Sequence, residues 1–371
     1  MHSTPSSTAP EAGGAAARSR LGAPQVGTLP SGPRDAITDV AGVSVAHCTL
    51  ADGPVQTGAT VLLPQPGNLF LQQLPAGVAV INGFGKSAGL VQVQELGTLE
   101  SPIALVSTLA VGTAFTALVR DAIAHTPELA RSLPTVNPLV FECNDGWLND
   151  AQALPLQEAH VLQALAAARQ GGGSFDEGSV GAGRGMSCHG LKGGIGSASR
   201  CVRWQGRGYT LGALVLANQG RPGALTVAGQ RIAVPMQLPG RPPQAPAAER
   251  GSIIMLLATD APLDARQLTR VARRAAAGLA RTGSDYGHGS GDIALAFSTA
   301  MRLPQRPTEP MPALPLLHEA ALDGLFQAAA EATEQAILHA LFAATAVTGR
   351  EGHHRLSLRD VAPHLFPKDS A

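Results

Sequence analysis

The chain of 371 residues is short of aromatic side chains, at 4%, and has no excess of either charge, with 27 lysines and arginines against 27 aspartates and glutamates. A nucleic-acid surface needs a basic footprint and, for single strands, stacking platforms, so these shortages argue against that class of partner. Cysteine is scarce too. Cys48, Cys143, Cys188 and Cys201 form no Cys-x-x-Cys pair and no zinc spacing, so they read as reduced, small core residues and no metal site is expected. Cys188-His189 has no further ligands at suitable spacing. Long apolar runs are missing as well: nothing approaches the length that spans a bilayer, and no apolar segment follows a basic start as in a signal peptide. A soluble, cytoplasmic protein is the expectation.

Glycine and proline are plentiful, at 43 and 28 residues, which suits a loop-rich protein with many turns and close backbone approaches. Residues 1–33 are rich in Ser, Ala, Pro and Gly and read as a disordered tail, leaving 34–371 as a single domain. Strand-like runs recur at Val43–Ala46, Thr60–Leu63, Val78–Ile81, Tyr209–Leu216, Ile253–Leu257 and Ile293–Phe297. Between Asp264 and Arg281, the residues Leu268, Val271, Ala275 and Leu279 share one helical face, and Gly283 stands where that helix would stop. Leu317 to about Val347 reads as a further helix or helix pair, with Gly324 as the point of interruption. Strands and helices without regular βαβ alternation predict an α+β layering.

The most informative dipeptide is Gly251-Ser252. A proline-rich stretch, Leu238 to Arg250, leads into it, and the apolar run Ile253–Ala258 follows, as in a strand covered on both faces. Cleavage between the two would expose a serine with a hydroxyl nucleophile and an α-amine able to serve as its base. A simple Gly-Ser turn entering a strand is the alternative. Ser290 and Asp292, two apart at the start of a strand, would point the same way and bring a hydroxyl and a carboxylate together. Asn218 ends the run Tyr209–Ala217, where its amide could donate to a developing oxyanion. Glu142 closes Pro138–Phe141, where a carboxylate could pair with a substrate's ammonium group. Asp145, Asn149 and Asp150 read as turn and cap residues. The segment Gly178–Arg200 holds eight glycines, yet it lacks the ordered phosphate-loop motif and the dinucleotide fingerprint. Its glycines read as tight turns, with Lys192 a structural or pocket charge. His288, His353 and His354 read as surface or packing residues.

Five blocks, in order and spacing, resemble the L-aminopeptidase/D-esterase family of self-processing hydrolases, which includes the β-peptidyl aminopeptidases. They are Ile37–His47, Glu142–Asp150, Gly178–Met186 running on to Lys192–Arg200, Gly251-Ser252 with its strand, and Ser290–Thr299. Together they cover residues 35 to 355. The resemblance implies a four-layer αββα sandwich of the N-terminal-nucleophile-hydrolase type, cut between Gly251 and Ser252 into a 34–251 chain and a 252–371 chain. It implies that Ser252 is the nucleophile, assisted by Ser290 and Asp292, with Asn218 in the oxyanion hole and Glu142 and Asn144 at the substrate. The implied activity is release of N-terminal residues from small peptides, amides or esters through an acyl-Ser252 intermediate. No cofactor is expected, and the family implies homo-oligomers of cleaved chain pairs. Some relatives have Glu where Asp292 stands, Tyr where Asn144 stands, and an acid where Lys86 stands, so substrate preference stays open. Two rivals remain: an acyltransferase resembling ornithine acetyltransferase, against which the serine nucleophile argues, and a non-catalytic small-ligand binder.

Overall fold

The computed structural model describes residues 18–233 and 251–367. Its main elements in chain order are β1 (Ser44–Asp52), β2 (Val55–Leu63), β3 (Gln72–Gly83), α1 (Leu90–Leu96), β4 (Ile103–Ser107), α2 (Val111–His125), β5 (Leu139–Cys143) and α3 (Glu158–Gln170). Next come β6 (Gly194–Trp204), β7 (Arg207–Asn218), β8 (Ser252–Thr259), α4 (Ala265–Arg281), β9 (Gly291–Ser298) and α5 (Leu322–Ala343). Every strand run expected from the sequence falls on one of these strands, with Val43 alone standing one residue before the start of β1.

Two sheets form. The smaller runs β1-β2-β4-β5, and the larger runs from the short edge strand Leu303–Pro304 through β3-β9-β8-β7 to β6. Strand β8 lies antiparallel to β7 and parallel to β9. Side chains alternate across a strand, and β8 is apolar on both faces. Ile253, Met255 and Leu257 join a core with α4 and α5, while Ile254, Leu256 and Ala258 join a second core with the smaller sheet, α2 and α3. The order helix, sheet, sheet, helix is the expected αββα sandwich.

Local sequence explains the boundaries. Asp264 caps α4, its Oδ1 accepting from the Gln267 N–H at 2.7 Å while Gln267 Oε1 accepts from the Asp264 N–H, a reciprocal capping box. Leu268, Val271, Ala275 and Leu279 are all buried along it. Gly324 does not interrupt α5. It lies in the first turn, where a Cβ would come 2.6 Å from Val202 Cγ1, so glycine lets the helix settle on β6. Strand β6 carries small residues for the same reason: a Cβ at Gly196 would lie 2.0 Å from the Ala336 carbonyl oxygen of α5.

Residues 18–33 correct the expectation of a tail that reaches to 33; residues 1–17 lie outside the described residues. Ala23 and Val26 are buried. The N–H groups of Thr28 and Leu29 donate to the Glu331 carboxylate, each at 3.0 Å, that of Val26 donates to Gln335 Oε1 at 2.9 Å, and the Pro30 carbonyl accepts from the Cys201 N–H at 2.7 Å. The segment is poor in apolar side chains, but its backbone groups find partners on α5 and β6, which composition alone could not reveal. Fully buried Arg200 ties it in, donating to the Val26 carbonyl at 2.8 Å and lying 3.3 Å from Asp35 and 3.5 Å from Glu331. No helix among the described residues is long and apolar enough to cross a membrane.

Candidate active site

Ser252 is the first residue of β8 and is 6% exposed. Its register partner on β7 is Asn218. Directly opposed residues of an antiparallel pair project to the same face with Cβ atoms roughly 5 Å apart. On the other side, Ser252 Oγ accepts from the Gly291 N–H at 3.1 Å. Gly291 lies between Ser290 and Asp292, both fully buried, and Ser290 Oγ donates to Asp292 Oδ1 at 2.6 Å. Ser290 and Asp292 thus share a face, as their spacing predicts, and one backbone N–H connects their turn to the Ser252 hydroxyl.

The Asn218 amide is held at both ends. Its Oδ1 accepts from the Ser187 N–H at 2.8 Å, and its Nδ2 donates to the Asn144 carbonyl at 3.1 Å. Gly251 passes so close to this strand end that a Cβ on it would lie 2.0 Å from the Asn218 carbonyl oxygen. Only glycine fits on that side of the Gly251–Ser252 bond.

Glu142, near the end of β5, is almost fully buried. Its Oε1 accepts from the Lys86 N–H at 2.7 Å and its Oε2 accepts from the Thr108 hydroxyl. A Cβ built on Gly85 would sit 3.5 Å from Glu142 Oε1 and 3.7 Å from Gly291 Cα, so the carboxylate and the Gly291 turn flank the same glycine. The Lys86 ammonium does not reach Glu142 but lies 4.2 Å from the Phe84 ring centroid, a cation–π contact. Asn144 is exposed, its Oδ1 accepting from the Gly146 N–H at 2.9 Å.

Neighbouring residues hold this frame. Burial pushes the Asp145 carboxyl up from its ordinary range, opposed by the donors Thr57, Ser107 and Asn149, whose bonds to it span 2.6 to 3.1 Å. It ties β2, β4 and the Asn144–Asp150 turn together, the turn role its sequence suggests. Burial raises the Cys143 thiol well above its usual range, with the Glu142 and Asp292 charges adding to the effect, so this cysteine is a packing residue. His353 stacks on Trp147 at 4.0 Å, His288 tilts against Phe84 at 6.1 Å, and His354 meets the Thr348 hydroxyl at 2.8 Å; all three have packing or surface partners. Two contributors escape sequence reasoning. Asn82 donates to the carbonyls of Gly287 and Ser290 and so ties down the turn before β9; its position in Asn-Gly-Phe-Gly at a strand end is the one signal that could have marked it. Thr108 has no such signal. Among the described residues, no group of three or more His, Cys, Asp or Glu side chains is gathered as a metal site requires.

The family described as peptidase family S58 matches residues 35–355. The β-peptidyl aminopeptidase BapA of Sphingosinicella xenopeptidilytica is 38% identical over 348 residues, which span 89% of this chain and 85% of that protein. The PH0078 protein of Pyrococcus horikoshii OT3 superposes with a TM-score of 0.85 at 44% identity, covering 93% of this chain and 96% of its own. The L-aminopeptidase D-Ala-esterase/amidase of Ochrobactrum anthropi, described as a prototype serine aminopeptidase and a variant of the Ntn hydrolase fold, superposes with a TM-score of 0.81 at 34% identity, covering 93% and 97%.

Proposed function

The chain belongs to peptidase family S58, and from the arrangement around Ser252 we propose how its activity as a self-processing serine aminopeptidase, amidase and esterase of the N-terminal-nucleophile class is carried out. Maturation comes first. Ser252 Oγ attacks the Gly251 carbonyl carbon, its proton passes to the Ser252 nitrogen, and the Gly251–Ser252 C–N bond breaks. Water then hydrolyses the resulting ester, leaving a Gly251 carboxylate on one chain and a free Ser252 α-amine on the other. The products are the 34–251 part with its preceding residues and the 252–371 part.

Turnover reuses the same hydroxyl. The α-amine, which titrates near ~8, takes the Oγ proton as Ser252 attacks the substrate carbonyl, and returns it to the departing nitrogen or oxygen. Ser290 and Asp292 orient the nucleophile and relay the proton. Asn218 spends one amide hydrogen on the Asn144 carbonyl, and the second serves the oxyanion. Water then cleaves the acyl-Ser252 ester. Glu142 holds the substrate's ammonium group and restricts the enzyme to chain ends, with Asn144 at the rim of the same pocket. Substrates are small peptides, amino acid amides and esters, and the cleaved pairs assemble into homo-oligomers.

The observation that supports this reading is the Gly291 N–H to Ser252 Oγ hydrogen bond with Asn218 opposite in register, which gathers Ser252, Ser290, Asp292 and Asn218 around one strand end. The test is denaturing intact mass on freshly purified protein beside Ser252→Ala. Two wild-type fragments meeting between Gly251 and Ser252, with an uncut variant, are expected. A single intact wild-type chain would overturn the proposal.

A further inference from the structure

Lys192 is fully buried, and its ammonium donates to three backbone carbonyls: Gly183 at 2.7 Å, Met186 at 2.8 Å and Gly193 at 2.8 Å. Burial pushes its pKa well below the ordinary lysine value, whereas three carbonyl acceptors favour the charged form, which alone has three donors to offer. A glycine-rich turn needs closing, and three carbonyls gathered on one cation would suffice as a purely structural explanation. One of the three carries more. The Met186 carbonyl and the Ser187 N–H belong to the same planar peptide group. Its oxygen accepts from Lys192 Nζ and also from the Gly193 N–H at 2.9 Å. Its N–H, on the opposite edge, donates to Asn218 Oδ1 at 2.8 Å.

We infer that Lys192 is a positioning residue for the oxyanion donor, acting on Asn218 through the Met186–Ser187 peptide group. This rests on the reading of Asn218 given above. Two physical effects follow. An asparagine amide can turn over and present either its oxygen or its nitrogen, and only the nitrogen helps an oxyanion. The Ser187 N–H accepts no second orientation, because it can bond only to the oxygen end, and the Asn144 carbonyl at 3.1 Å bonds only to the nitrogen end. A cation on the peptide oxygen also polarises the N–H, and a better donor on Asn218 Oδ1 makes the Nδ2 hydrogens more acidic in turn, since bonds in a chain reinforce one another. The charge thus reaches the reaction centre without touching substrate.

The experiment is a double-mutant cycle on the full chain, with Lys192→Met, Asn218→Ala and the pair. Ester hydrolysis is measured per cleaved active site, the cleaved fraction being counted by intact mass. Lys192→Met is expected to lower kcat by about tenfold or more with KM within about threefold, and to lower it by less than about twofold when Asn218 is already Ala. An equal loss in both backgrounds would overturn the inference and leave Lys192 a structural residue. If Asn218→Ala by itself leaves kcat unchanged, the reading of Asn218 fails and the inference falls with it; loss on Asn218→Ala with none on Lys192→Met sinks the inference alone. Should Lys192→Met not fold, Ser187→Pro removes the connecting N–H while leaving the ammonium in place. Met186, at φ −78° and ψ 147°, already has the conformation that precedes proline. The same kcat loss, again absent from the Asn218→Ala background, is expected, and an unchanged kcat would overturn the inference.

Discussion

Asn218 and Ser252 end adjacent strands in direct register, the last residue of β7 against the first of β8. The proposed amide donor and the proposed nucleophile are therefore fixed by a single ladder of backbone hydrogen bonds, not by two loops. Removing the amide should spare the geometry and remove only transition-state stabilisation. Asn218→Ala is expected to lower kcat for ester and amide substrates by about a hundredfold or more with KM little changed, measured by steady-state kinetics. A change confined to KM would exclude an oxyanion role.

Glu142→Gln keeps one acceptor oxygen for the Lys86 N–H and turns an amide N–H towards the Thr108 hydroxyl, which can accept as well as donate, while removing the charge. Charge-assisted hydrogen bonds are worth about 1.5–3 kcal/mol. KM for substrates with a free amino group should rise by roughly tenfold or more, while N-acetylated esters should be indifferent to the change. Equal effects on both substrate types would show that Glu142 does not read the ammonium.

Gly196→Ala places a methyl 2.0 Å from the Ala336 carbonyl oxygen and 2.6 Å from the Ala340 nitrogen, backbone atoms that cannot swing away. We expect destabilisation of about 3 kcal/mol, as for other overpacked sites. Thermal unfolding checks this, and an unchanged Tm would mean that α5 does not rest on β6 as described.

His339 is fully buried, bonded to the Ser197 carbonyl at 2.6 Å and the Ser19 hydroxyl at 2.7 Å, with Gln335 at 3.2 Å and Asp35 at 3.8 Å. Burial lowers its pKa from 6.5 to about 3; the Ser197 carbonyl opposes this, and the charges of Arg20 and Arg200 add to it. The unfolded chain then binds a proton below pH about 6.5 that the folded chain refuses until about 3, so stability is full above that window and falls as pH falls through it. His339→Gln should remove up to about 1.4 kcal/mol of that loss per pH unit. Tm measured at pH 7.5, 6 and 5 tests this: the variant's curve should be flatter, and parallel curves would show that the histidine does not titrate in this way.

The fold is legible in the residues where periodicity and chemistry coincide. Apolar runs such as Ile253–Ala258 mark a strand whatever surrounds it, and the three-and-four spacing of Leu268, Val271, Ala275 and Leu279 marks the buried face of α4. The pair Ser290 and Asp292 needs only the two-residue repeat of a strand to bring their side chains together. Strand β6 was legible only as a glycine-rich segment, because its residues are chosen for the approach of a helix and not for strand preference. Thr108 and the 18–33 segment were invisible for a related cause: each matters through partners far away in the chain, on β5, α5 and β6, which only the folded structure brings near.

Strand β8 sits between β7, which precedes the Gly251–Ser252 bond, and β9, which follows it. A cut at that bond severs the chain in the middle of a sheet, leaving each product with strands that the other must cover. The matured pair would thus be inherited from a folding event that neither piece can repeat alone. Once unfolded, it faces a search for a partner in solution in place of a search within one chain, and its durability becomes a matter of how rarely it opens.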